Sequence, residues 1–71
     1  MSIERLERVM WRMEKIKKNE KVLKSQLELA IMKECGTDDR TIKMNIKALL
    51  KLKWLVRHYR HVFTITGEHL N

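Results

Sequence analysis

The 71-residue chain is long enough for one compact domain, whose core alone gives marginal stability and makes a second copy of the chain a natural partner. Sixteen Lys and Arg against nine Asp and Glu leave a net charge of +7 spread along the chain, which favours a polyanionic partner such as DNA, RNA or an anionic membrane surface. No apolar run reaches the roughly 20 residues that span a bilayer, the start Met1-Ser2-Ile3-Glu4-Arg5 is unlike a signal peptide, and the single cysteine, Cys35, rules out an intramolecular disulfide. The expectation is a soluble, cytoplasmic protein.

From Ser2 to about Lys18, Ile3, Leu6, Met10 and Met13 recur at three- and four-residue steps, flanked by Val9 and Ile16, which predicts an amphipathic helix over 1–18. Ser2 is its expected N-cap and Glu4 lies in its first turn, where the helix dipole favours an acid. Trp11 falls off the apolar stripe, among Glu7, Glu14 and Lys15. It is either part of the fold's own surface or part of a subunit interface.

Asn19-Glu20-Lys21 breaks the period, and the β-competent pair Val22-Leu23 predicts a minor strand over 22–24 against a later hairpin. Ser25-Gln26-Leu27-Glu28 reads as a capping box that starts a second helix through Leu27, Ala30, Ile31 and Cys35. Gly36 ends it, in the left-handed conformation of a helix C′ position. Thr37-Asp38 supplies the next N-cap, and Ile42, Ile46 and Leu49 mark the inner face of a third helix running to about Leu52. Trp54-Leu55-Val56-Arg57-His58 and His61-Val62-Phe63-Thr64-Ile65-Thr66 then read as a β-hairpin closed by Thr66-Gly67-Glu68. The fold class is mainly α with a small β-hairpin, α+β, in one domain over 1–71.

Helix, helix, tight turn, helix and hairpin follow in an order that resembles the winged helix-turn-helix family. The residues that carry the resemblance run from Ile31-Met32-Lys33-Glu34-Cys35-Gly36-Thr37-Asp38-Asp39-Arg40-Thr41-Ile42 through Ile46, Leu49, Leu52 and Trp54-Leu55 to Phe63-Thr64-Ile65-Thr66-Gly67-Glu68. It implies a helix-turn-helix over 25–53 and a wing over 54–67. Lys53 departs from the pattern, because the family usually has glycine after the third helix, and a lysine there must take a positive φ at some cost. Shortness, a long first helix and abundant lysine are similar to small transcription regulators of thermophilic archaea and their viruses and plasmids.

With Ile42, Ile46 and Leu49 inward, Arg40, Lys43, Met44, Lys47 and Lys51 share the opposite face, four cations with no acid. Arg40 has the guanidinium fork that matches guanine O6 and N7, Lys43 and Lys47 suit bases or phosphates, Met44 suits a thymine methyl, and Thr41 suits a phosphate. Lys51 supplies general attraction. At the wing, Arg57, Tyr59 and Arg60 surround the turn, with Arg60 the leading candidate for the minor groove. Asp39 either accepts from a cytosine amino group or is simply solvated.

These residues predict a sequence-specific regulator of transcription that binds double-stranded DNA as a homodimer, with Ile3, Leu6, Met10 and Trp11 of the first helix in the interface. The rival readings are a winged helix that binds an acidic protein and a nonspecific DNA or RNA binder. His58 and His61 flank a turn instead of sharing a helix face, and Cys35 lies on another element, so no metal is expected. No nucleophile-base pair, phosphate-binding glycine loop or paired carboxylates are present in the sequence, so neither enzymatic activity nor a cofactor is expected.

Overall fold

The computed structural model describes residues 3–70. The chain forms α1 (Ile3–Ile16), β1 (Lys21–Leu23), α2 (Lys24–Glu34), α3 (Asp39–Lys51), β2 (Leu55–Tyr59) and β3 (Val62–Ile65), followed by a single 3-10 turn at Glu68–Leu70. The architecture is mixed α+β, with three α-helices and a three-stranded antiparallel sheet in the order β1-β3-β2. The expected strand over 22–24 is β1, one residue earlier, and its pairing of Val22 with Phe63 makes β3 the central strand.

The expected N-cap Ser2 lies outside the described residues. At its other end α1 stops at Ile16 instead of Lys18, because the chain reverses immediately. Lys18 and Lys21 exchange two backbone hydrogen bonds of 3.0 Å around Asn19 and Glu20, whose φ values are 53° and 62°. Two central residues at positive φ make a tight reversal that leads the chain from α1 directly into β1. Lys17 braces it, its Nζ lying 2.7 Å from oxygens of both Glu14 and Glu20. Those two hydrogen-bonded carboxylates hold the Lys17 amine above its ordinary pKa.

The capping box expected at Ser25 and Glu28 is displaced. β1 runs without a loop into α2, so Leu23 is the N-cap residue, and the Gln26 side chain accepts a 2.9 Å hydrogen bond from its N–H. Ser25 is already inside the helix. The start of α2 is fixed from outside the segment, since Leu23 pairs with Val62 and the Lys24 N–H donates to the His61 carbonyl at 2.7 Å.

Gly36 ends α2, but at φ 150° and not in the left-handed helical region expected for it. Its N–H and that of Cys35 both reach the Ile31 carbonyl, at 3.3 and 2.7 Å. A side chain at Gly36 would meet the Thr41 methyl at 3.4 Å and be strained by that φ, so the glycine lets α2 and α3 join tightly. Asp38 caps α3 as expected, its Oδ2 accepting from the Thr41 N–H at 3.2 Å.

The end of α3 rests on Lys53. At φ 62° its N–H reaches the Leu50 carbonyl while the Trp54 N–H reaches that of Leu49, at 3.0 and 3.1 Å. This is the paired hydrogen bonding of a Schellman motif with lysine in the glycine position. It also takes Trp54 out of the expected strand, which starts at Leu55. Thr66 locks the corner, its hydroxyl donating to the Lys53 carbonyl at 2.6 Å and accepting from the Glu68 N–H at 3.2 Å.

The core draws on all three α-helices and all three strands: Leu6, Val9, Met10 and Met13 from α1, Leu27, Ala30 and Ile31 from α2, Ile42, Ile46 and Leu49 from α3, and Val22, Leu55, Phe63 and Ile65 from the sheet. Two of the expected interface residues are thereby corrected. Leu6 and Met10, at 3% and 0% exposure, are spent on the chain's own core and offer nothing to a second copy, whereas Ile3 and Trp11 are exposed. Cys35 packs half-buried against the core, and burial raises its thiol pKa above the ordinary value.

Because Lys53 carries a backbone conformation that costs an L-residue about 1 kcal/mol or more, Lys53→Gly should stabilise the fold by about 0.5–1 kcal/mol. Urea unfolding measures this directly. A loss of stability would mean that the lysine side chain contributes more than its backbone costs.

Candidate nucleic-acid interface

The cap at Asp38 and the burial of Ile42, Ile46 and Leu49 fix how α3 is rotated. Arg40, Lys43, Met44, Lys47 and Lys51 all lie on its exposed side, while Thr41 is half-buried beneath the cap. One inward position is polar: Asn45, 4% exposed, donates from Nδ2 to the Thr41 carbonyl at 2.7 Å. That bond occupies a backbone acceptor in the first turn and leaves the outward face unchanged.

Between α3, the start of α2 and the hairpin lies an open cleft of about 280 Å³. Lys24, Lys43, Lys47 and Arg57 surround it, Glu28 is its one acid, and Ile46, Leu50 and Phe63 supply apolar wall. Four cations converging on one concavity attract an anion more strongly than the same charges dispersed, because the low-dielectric walls concentrate the field. Arg57 is positioned by β-pairing. It sits opposite Phe63 across the β2–β3 ladder, with its guanidinium carbon 5.4 Å from the centre of the Phe63 ring. Such cation–π contact restrains a long side chain without neutralising its charge.

The expected contact residues therefore fall into separate groups. Lys43, Lys47 and Arg57 line the cleft, and Arg40, Met44 and Lys51 occupy the exposed face of α3 outside it. Tyr59 and Arg60 stand apart at the hairpin end, where only Arg60 and His61 separate the strands and Tyr59 is 76% exposed. A register irregularity between Arg57 and Tyr59 separates the strand residue facing the cleft from the residue at the tip.

Sequence reasoning missed Lys24 as a site residue, placing it only at the end of the minor strand expected over 22–24. Its place in the cleft follows from β1 entering α2 directly. The one local signal was its position immediately after a β-competent pair and before a helix start.

At the first turn of α3, Asp38 has a carboxyl pKa held below the ordinary value, chiefly by the Thr41 side chain and then by the Thr41 backbone N–H. Asp39 is exposed beside it. Among the described residues, no three His, Cys, Asp or Glu side chains gather as a metal site, and no helix is long and apolar enough to cross a membrane. Comparisons of the chain with protein-family models, curated proteins and solved structures found no match.

A depressed carboxyl pKa stabilises the fold above the unfolded-state value of about 4, and that contribution is lost as pH falls through the lower folded-state value. Asp38→Ala should therefore lower the thermal midpoint by several degrees at neutral pH. The gap between variant and wild type should narrow steadily below about pH 4. A gap independent of pH, measured by circular dichroism melts, would show that the charge of Asp38 contributes nothing to the cap.

Proposed function

We propose that the chain is a winged helix-turn-helix protein that binds double-stranded DNA sequence-specifically and regulates transcription inside the cell, without catalytic activity. The observation that carries this reading is the acid-free face of α3, Arg40, Lys43, Met44, Lys47 and Lys51, continuing into the cleft with Lys24 and Arg57. In this reading α3 enters the major groove. Its N-terminal side chains, with Arg40 foremost, reach base edges, and the cleft receives the phosphate backbone between α3 and the hairpin. Tyr59 and Arg60 at the tip then meet the adjacent minor groove, where negative potential favours arginine.

A homodimer completes the reading. Two copies related by a two-fold axis place two α3 helices in successive major grooves, so the expected site is a near-palindrome with half-sites about 10 base pairs apart.

Selection of bound duplexes from a random pool tests the specificity. A defined two-fold site is expected. A bound pool as random as the starting one would instead support nonspecific attraction or an acidic protein as the partner. On the selected site, Arg40→Ala should cost about 1–3 kcal/mol and relax preference at one base position, whereas Lys51→Ala should weaken all duplexes alike. Arg57→Ala should reduce the slope of log affinity against log salt by about one, as expected for one lost phosphate contact. Equal effects of Arg40→Ala on every sequence would remove it from base readout.

A further inference from the structure

The cleft between α3 and the hairpin holds one side chain for which a DNA backbone has no use. Glu28 stands among Lys24, Lys43, Lys47 and Arg57, yet it forms no ion pair among the described residues. An ionised carboxylate only accepts hydrogen bonds. The sugar-phosphate backbone of duplex DNA has no hydroxyl or N–H to donate to it, and its phosphates are repelled. A ribose with free 2′- and 3′-hydroxyls offers two donors, and an acidic side chain is a recurrent partner for them.

Glu28 also lies at a junction. A second concavity of about 440 Å³ shares Lys24 and Glu28 with the cleft and is otherwise bounded by Leu23, Ser25 and His61, with no residue of α3. Leu23 is 51% exposed and His61 is exposed at the hairpin turn, so this end offers an apolar surface and an aromatic ring. Together the two concavities make one trough whose lining changes in order. Cations from α3 and β2 come first, the carboxylate stands in the middle, and the Leu23–His61 surface closes the other end.

We propose that this trough binds a ribonucleotide, with its phosphates among Lys43, Lys47 and Arg57, its ribose hydroxyls on Glu28 and its base against Leu23 and His61. Phosphate, ribose and base follow one another in a nucleotide as the three kinds of lining follow one another in the trough. Concavities of this size take small ligands. A sugar phosphate would leave the Leu23–His61 end without a contact. A single RNA strand shares the hydroxyls, but successive bases need successive rings to stack on. The trough has one exposed ring, His61, since Phe63 is only 1% exposed. Because the phosphates would occupy the same cations that the DNA backbone meets, the nucleotide competes with the duplex and regulates its release. That competition rests on the DNA reading above, whereas the site itself does not.

Calorimetric titration of the full chain without DNA, using ADP, 2′,3′-dideoxy-ADP and pyrophosphate, tests the site. The wild type should bind ADP at least about tenfold more tightly than the dideoxy analogue, the effect of hydrogen bonds to a charged acceptor. Glu28→Ala should abolish that preference while holding pyrophosphate at least as tightly as the wild type, because a repelling charge is gone. His61→Ala should weaken ADP and leave pyrophosphate unchanged. Absence of ADP binding, equal affinity of the wild type for ADP and its dideoxy analogue, or a preference that survives in Glu28→Ala would each overturn the assignment. So would an oligoribonucleotide bound far more tightly than ADP, which would make an RNA strand the occupant. The comparison of the two nucleotides on the wild type needs no variant to fold. On the selected duplex, ADP should release the bound protein. Hydroxyl-dependent ADP binding by a chain that selects no DNA sequence would keep the site and remove only the DNA reading, and a selected duplex bound by a chain indifferent to the hydroxyls would do the reverse.

Discussion

Three residues of strand, Lys21–Leu23, tie the first half of the chain to its end. By pairing with β3 they place β1 beside a hairpin some forty residues later in sequence. Their neighbours extend the bond pattern, with the Ile65 N–H donating to the Glu20 carbonyl and the Lys24 N–H to the His61 carbonyl, both at 2.7 Å. The short sheet thereby fixes the origin of α2, and the tight connection at Gly36 passes that position on to α3. The hairpin then cannot swing freely relative to α3, and the cleft between them has defined walls. In a chain with so little core, each of these constraints carries a large share of the fold.

Charge is distributed around this frame with consistent logic. The acids that support structure lie at turns and caps: Glu14 and Glu20 around Lys17, Glu34 against Arg12, and Asp38 at the start of α3. Lys24, Arg40, Lys43, Lys47, Lys51 and Arg57, on the exposed side of α3 and around the cleft, form no ion pair among the described residues. Asp38 serves both purposes poorly for an anion-binding surface, since it adds negative charge near the end of α3 that would approach DNA. Its carboxylate is committed to the backbone N–H of Thr41, so the cap is gained at a cost in local potential.

The helices were legible because burial writes its period into the sequence: Ile42, Ile46 and Leu49 were read inward and are inward, and the cap at Asp38 follows from local chemistry alone, whereas the positive φ of Lys53 was expected only from the resemblance. What local chemistry could not supply depends on distant partners. Ser25-Gln26-Leu27-Glu28 is a sound capping box in isolation, yet pairing of Leu23 with Val62 moves the helix start upstream and puts Gln26 in the capping role. The turn at Asn19-Glu20 lacks the glycine that usually announces two positive φ values. On α1 the apolar stripe was read as serving both core and interface, but one core consumes Leu6 and Met10 completely. The outward residues of α3 were legible from the helical period, whereas the cleft was not. Lys24 joins it through the sheet, and Arg57 is directed into it by its cross-strand partner Phe63.

The central claim is that α3 and the hairpin form one DNA-binding surface. Titrating the isotope-labelled protein with its selected duplex while following backbone amide chemical shifts addresses this most directly. The account predicts the largest changes along Arg40–Lys51, at Lys24 and across Arg57–Arg60, with the Trp11 side of α1 little affected. Changes confined to α1 and the outer side of α2, with α3 and the hairpin unmoved, would contradict it.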